Sequence, residues 1–181
     1  MKKKRQPMTY GEYCTLLSHG VIKNHKEILE AAEKPWKLCG RFMPDSLDMM
    51  RMGTLVEVVS GKDDVMKAMT SIYNVTRGEL SEERADVVIG AMKWTESQMS
   101  RIADLFSRLE RELTADEIMA GAEQMKGDIF NTIDWYALRM GISNHDEVHR
   151  VPWVTIWRCA KDDRDRDEYK LRLHNIQNQK R

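Results

Sequence analysis

Between Val88 and Leu113 the apolar residues follow a spacing that few folds tolerate. Val88, Met92, Thr95, Met99, Ile102, Phe106, Leu109 and Leu113 succeed one another at alternating steps of four and three, and only Thr95 is polar. Such a seam runs along one face of an α-helix. On a strand, whose faces alternate every two residues, it would scatter to both sides. A heptad seam packs lengthwise against at least one other helix. Ser81 is the expected N-cap, with Glu82 and Glu83 in the first turn, and the helix is expected over about 82–112. About thirty residues at 1.5 Å each make a rod of about 45 Å. An intramolecular bundle and an oligomer interface would both cover the seam, and other helical segments of the chain can supply the first.

Those segments carry their own signals. Thr9 and Glu12, Thr114 and Glu117, and Asn144 and Glu147 have the spacing of a capping box, in which cap and acid each bond the other's backbone N–H. A short helix with Tyr13, Leu16 and Leu17 is expected to end near Gly20, and a second over Val21–Lys34, with Ile22 and Leu29 on its apolar side. Pro35 and Pro44 bracket an expected loop, because proline disfavours helix at and before its own position. Behind a cap at Asp45 or Ser46, Leu47, Met50, Leu55, Val58 and Val59 suit two short helices meeting near Gly53, with a stop at Gly61. Asp63 and Asp64 suit the positive end of a helix reaching about Tyr73, with Val65, Met69 and Ile72 inward.

Ile118, Met119 and Met125 suggest a further helix before Gly127. Ile129, Phe130, Ile133, Tyr136, Ala137 and Met140 suggest another, closed by Gly141. Pro152 fits the first turn of a last helix. That helix starts apolar (Trp153, Ile156, Trp157, Ala160), carries only charge over Lys161–Glu168, and regains a thin stripe at Tyr169, Leu173 and Ile176. No stretch sustains strand alternation, and four prolines and ten glycines are too few for many tight β-turns.

The expected fold is therefore all-α: a single bundle-like domain with one long central helix and a long, partly projecting C-terminal helix. Residues 1–7 are expected to form a disordered basic tail. Residues 8–44 hold N-terminal helices and a loop, 45–160 the helical core, and 161–181 the projecting charged helix.

Composition narrows the function. Formal net charge is zero, which argues against a nucleic-acid binder built on a strong basic field. The balance is uneven: residues 1–44 carry nine Lys/Arg against four Glu, and the remainder twenty against twenty-five acids. Lys2, Lys3, Lys4 and Arg5 form a basic tip, but no apolar run follows to make it a secretory leader. No segment approaches the roughly 18 apolar residues of a membrane helix. The expected location is the cytoplasm. Three widely spaced cysteines, Cys14, Cys39 and Cys159, make no disulfide framework. Thirteen methionines against three phenylalanines point to an adaptable interior, and suit a promiscuous protein-binding surface as well.

No constellation points to catalysis. Cys14, His19, His25 and Cys39 lack the close pairing of zinc ligands, and read as buried thiols and surface histidines. His145, His149 and His174 form no metal-ligand motif. The pairs Asp63–Asp64, Glu82–Glu83 and Asp162–Asp163 lie at helix starts or in solvated runs, whereas general acid–base work needs a perturbed carboxylate. Asp134 interrupts an apolar segment, to bond a neighbouring helix end or to face water. There is no phosphate loop and no nucleophile elbow, so neither an enzyme nor a cofactor is expected. Ala137, Gly141, Ile142 and Val148 approach helix-turn-helix spacing. The second helix would carry Asp146 and Glu147 beside a single Arg150, a poor match to DNA phosphates.

Aromatic residues concentrate instead toward the C-terminal end. Trp135, Tyr136, Trp153 and Trp157 fall in a window of 23 residues. Aromatic anchors dominate protein interfaces, and they equally build the core of a helical corner. With Tyr169, Leu173 and Ile176 they make up the expected partner-binding set.

The run Ile133-Asp134-Trp135-Tyr136-Ala137, then Gly141, Val148 and Val151-Pro152-Trp153 leading into a charged helix, resembles the C-terminal part of tail assembly chaperones of long-tailed bacteriophages and prophages. The resemblance covers about a quarter of the chain. It implies a small helical protein of the host-cell cytoplasm that binds the tape measure protein, keeps its apolar helices soluble and helps tail tube proteins polymerise around it. A helix-turn-helix regulator and a structural or scaffold component of the virion are the alternative readings.

Overall fold

The protein's structure, a computed structural model, describes residues 7–61, 64–110, 114–122 and 129–179, with Asp116 by its backbone alone. Ten helices hold 70% of the described residues, beside one two-stranded hairpin, so the fold is all-α. The chain separates into two compact units. One holds the described residues up to Leu47 together with Glu57–Arg101. The other holds Asp48–Val56 and the residues from Ile102 onward.

In the first unit, α1 (Tyr10–Ser18) opens with the expected box: Thr9 Oγ1 accepts from the Glu12 N–H at 3.3 Å and Glu12 accepts from the Thr9 N–H at 2.9 Å. It closes at Gly20, whose left-handed φ of 70° lets the Gly20 and Val21 N–H groups return to the Leu17 and Leu16 carbonyls. The second helix, α2, is shorter than expected, His25–Ala31. Ile28 lies on its half-buried side and Leu29 on its exposed one.

The segment expected as a loop contains a hairpin, β1 (Lys37–Leu38) with β2 (Arg41–Phe42), pairing Lys37 with Phe42 and Leu38 with Arg41. Its two-residue turn is Cys39–Gly40, both at positive φ, as the tightest hairpins require. No residue from 45 to 51 is helical. A single helix, α3 (Met52–Ser60), passes through Gly53 where two were expected.

Asp64 caps α4 (Val65–Tyr73) through the Lys67 N–H, while Asp63 lies outside the described residues. Met69 is buried, Ile72 half-buried and Val65 exposed.

Ser81 is no N-cap. It lies inside α5 (Arg77–Glu82), which a Thr76–Glu79 capping box opens. The chain then turns extended at Glu83, because Tyr10 N–H bonds the Glu83 carbonyl and Ala85 N–H the Met8 carbonyl. The long helix, α6, therefore runs Ala85–Ser107 and is the second longest after α10. Leu113 and the expected end at Arg111–Glu112 lie outside the described residues.

Val88, Thr95 and Ile102 are buried along the seam, and Met92, Met99, Phe106 and Leu109 are half-buried. Ile89, Gly90 and Ala91 are buried too, so the covered face is wider than two positions in seven. In the first unit the cover comes from two apolar clusters. One gathers Leu38, Met43, Met69, Val75, Leu80, Val88 and Ala91. The other gathers Tyr13, Ala85 and Ile89 under Leu17, Ile22 and Ile28.

In the second unit, Thr114 and Glu117 form the expected box at α7 (Ala115–Met119). Met125 and Gly127 lie outside the described residues. α8 is Ile129–Met140. At its end Gly141 adopts φ 67° and the Ile142 N–H bonds the Ala137 carbonyl at 2.8 Å. Asn144 caps α9 (His145–Arg150) through the Asp146 N–H, and the expected box with Glu147 is not the one formed. Pro152 immediately precedes α10 (Trp153–Gln179) and bridges to Arg51.

Candidate functional site

The expected binding set divides by burial. Tyr136 and Trp153 are interior, 4% and 0% exposed, and belong to the core of the second unit with Met52, Leu55, Ile102, Ile133, Val148 and Ile156. This corrects the expectation that they face a partner. Trp153 is fixed at its backbone by the bond from its N–H to the Met50 carbonyl, and its ring lies 5.9 Å from that of Phe106.

Trp157 is half-buried and its indole Nε1 donates to the Leu105 carbonyl at 2.9 Å. It thereby satisfies a carbonyl near the C-terminal end of α6 that the helix itself leaves unpaired. Trp135 is half-buried, with the Arg139 guanidinium 5.9 Å from its ring centre.

Asp134 bonds a neighbouring helix start: its Oδ1 lies 3.3 Å from Nε2 of His145, the first residue of α9. Ala137 and Val148 are buried beneath the α8–α9 turn, as in a helix-turn-helix. α9, however, has only six residues, with Asp146 and Glu147 exposed beside Arg150.

α10 leaves this core in steps that its sequence dictates. Trp153 and Ile156 are buried. Two turns further on, Arg139 holds Asp163 bidentately, Nε to Oδ2 at 2.9 Å and Nη2 to Oδ1 at 3.1 Å. That guanidinium keeps the Asp163 carboxyl below its ordinary pKa. Most other charges of the run pair along the helix: Lys161 with Asp165, Arg164 with Glu168, Arg166 with Asp163, and Asp167 with Lys170. From Tyr169 to Gln179 every residue is exposed. Tyr169 is 60%, Leu173 40% and Ile176 52% exposed, and they share one face of the helix. The structure thus brings Tyr169, Leu173 and Ile176 together on a free surface and separates them from the aromatic corner.

Two further apolar features escaped sequence reading. Leu171 is exposed on the opposite side of α10 from that stripe. On the hairpin of the first unit, Trp36 and Phe42 meet edge to face at 5.8 Å, and the Lys37 ammonium lies 4.3 Å over the Phe42 ring. Both rings are exposed. The only sequence signal was a tryptophan between two prolines.

Among the described residues no group of His, Cys, Asp and Glu converges as a metal site, and no helix is long and apolar enough to cross a membrane. His25 Nδ1 shares a 2.5 Å hydrogen bond with the Tyr13 hydroxyl, Cys14 is exposed, and Cys39 is half-buried with its backbone N–H donating to Glu83. No protein family, curated protein or solved structure matches the chain.

Proposed function

We propose that this chain is a non-catalytic protein-binding protein, and that its work is that of a phage or prophage tail assembly chaperone holding the apolar helices of a tape measure protein in solution. The observation that carries the reading is the exposed stripe Tyr169, Leu173 and Ile176 on a helix whose preceding turns are charged. Desolvating eight consecutive charged residues costs far more than their packing returns, so the charged run holds the stripe clear of its own core. Apolar residues at helical spacing on an unburied face suit docking of an amphipathic helix. The resemblance of Ile133–Trp153 to tail assembly chaperones supplies the partner, a tape measure protein, and the tail tube subunits that assemble around it.

The test is co-expression with the tape measure protein of the same genome. The full chain is expected to keep it soluble. A chain lacking residues 165–181 is expected to lose that ability while melting within about 2 °C of the full chain, because surface ion pairs within one helix add little. Unfolding or aggregation of the truncated chain would put the C-terminal helix in the core and overturn the reading. The α8–α9 corner supports DNA binding as the rival. A regulator shifts duplex DNA, with affinity falling steeply as salt rises, and such a shift would displace the chaperone reading.

A further inference from the structure

The pair between Arg139 and Asp163 differs in kind from the other ion pairs that α10 makes among the described residues. Lys161 with Asp165, Asp163 with Arg166, Arg164 with Glu168 and Asp167 with Lys170 each join residues three or four apart on the helix itself. Such pairs open and close with their own turns and tie the helix to nothing else. Arg139 instead reaches across from α8, 24 residues away in sequence, and makes the least exposed of these pairs. Its fork gives two hydrogen bonds to the carboxylate, and the Trp135 ring beneath it, 5.9 Å away, restrains the guanidinium. Less side-chain freedom is then lost in holding Asp163.

Among the described residues, no hydrogen bond or ion pair joins α10 to another element beyond Asp163. Only Arg164 and Glu168 are half-buried there, and they hold each other. The turns from Tyr169 to Gln179 bury nothing. They extend a helix already formed, so they pay no nucleation cost, but tertiary packing, the main source of helix stability, is missing. Two of the pairs that precede them, Lys161 with Asp165 and Arg164 with Glu168, set the cation before the acid, the weaker order on a helix. We propose that Arg139 is a latch that divides α10 into two parts of unlike stability. The turns up to Asp163 open only with the core, and the turns beyond it open by themselves. Binding segments are drawn from such easily opened parts of a fold. Arg139 is therefore a positioning residue for the stripe Tyr169, Leu173 and Ile176, because it sets the turn at which the separately opening segment begins. The division belongs to the chain alone, and only its use in docking rests on the function proposed above.

Hydrogen exchange of the full chain, followed amide by amide by NMR, tests the latch without any partner. Amides of residues 157–163 are expected to be protected about a hundredfold more than those of 169–179, with a step between the two groups. Arg139→Ala should lower the protection of residues 161–165 about tenfold more than that of the α6 amides, the loss expected from a charged hydrogen-bonded pair. Asp163→Asn should do the same from the other side. Exchanging the two charges, Arg139→Asp with Asp163→Arg, should restore part of the step. Equal protection at Leu173 and Cys159 would overturn the division. A smooth decline along α10 that neither single variant alters would overturn the latch. Failure of the co-expression test would remove the docking role and leave the exchange pattern in place, so the two readings fail separately.

Discussion

Gly90 is where the helical pattern and the packing conflict most sharply, and replacing it with alanine measures the conflict. Gly90 lies inside α6, where glycine costs about 1 kcal/mol relative to alanine; by propensity alone Gly90→Ala stabilises. A Cβ at this position, however, would stand 1.9 Å from the Glu33 carbonyl oxygen, 3.0 Å from its carbon and 3.4 Å from Pro35 Cδ. The obstruction is backbone, so no side chain can swing aside. The same approach lets Lys93, one turn along, donate to the Glu30 and Ala32 carbonyls at the end of α2. Making room means moving α6 about an ångström from that segment and weakening those bonds. Overpacking of this kind costs up to about 3 kcal/mol. Set against the propensity gain, the net loss is about 2 kcal/mol, or about 4–8 °C in Tm for a chain of this size. Gly78 is the control, because its Cβ would meet nothing nearer than Thr76 Oγ1 at 3.8 Å. Gly78→Ala should raise the melting temperature by a few degrees. Circular dichroism melts of both variants decide the matter, and a Gly90→Ala chain as stable as wild type would refute the close approach of α6 to Glu33.

Ile102 is 2% exposed, so Ile102→Asp should cost about 3 kcal/mol or more, and an unchanged melt would mean the seam is open there. Burial pushes the Tyr73 hydroxyl up to about 12, against the lowering effect of its bond to Thr95, and burial with its contact to Cys14 does the same for Tyr10. Both neutral phenols favour the folded state fully below about pH 10 and lose that effect as pH rises toward 12. Phenolate absorbance should therefore show two groups titrating near 12 in the folded chain, and ordinary titration of all five tyrosines would contradict their burial. Asp163 works in the opposite direction. Arg139 lowers its pKa, so the pair stabilises above about pH 4 and the effect fades as pH falls through the lowered value. The Tm difference between wild type and Arg139→Ala should hold steady at neutral pH and shrink in acid, and a difference that grows in acid would exclude the pair.

Legibility followed the range of the interactions involved. The boxes at Thr9–Glu12 and Thr114–Glu117 and the glycine stops at Gly20 and Gly141 close within a few residues, and their residue types report them directly. Ser81 had every local credential of an N-cap. Thr76 and Glu79 nonetheless opened a helix one turn earlier, and Met8–Tyr10 drew Glu83–Ala85 into pairing from more than seventy residues away. The hairpin at Lys37–Phe42 escaped because strands of two residues show no alternation. It is held by the Cys39–Gly40 turn and by Leu38, which is 1% exposed. Gly90 belongs to the same class, since the close approach of Glu33 leaves no mark on the α6 pattern itself.

The candidate site shows why one half of an aromatic-rich end was legible and the other was not. Trp153, Tyr136 and Tyr169 all sit at helical spacing among apolar neighbours, and spacing states only that they share a face. Whether that face is covered depends on other segments. Met50–Met52 pairs with Val151–Trp153 and seats Trp153 in the interior, from a hundred residues away in sequence. Among the described residues nothing equivalent reaches Tyr169, because Lys161–Glu168 intervenes and each turn of that run keeps water on the helix. A charged run therefore acts as a spacer whose effect is local. It separates the stripe behind it from the core ahead of it whatever the rest of the chain does. For that reason Tyr169, Leu173 and Ile176 could be placed on a free surface from their sequence neighbours alone, and Tyr136 and Trp153 could not.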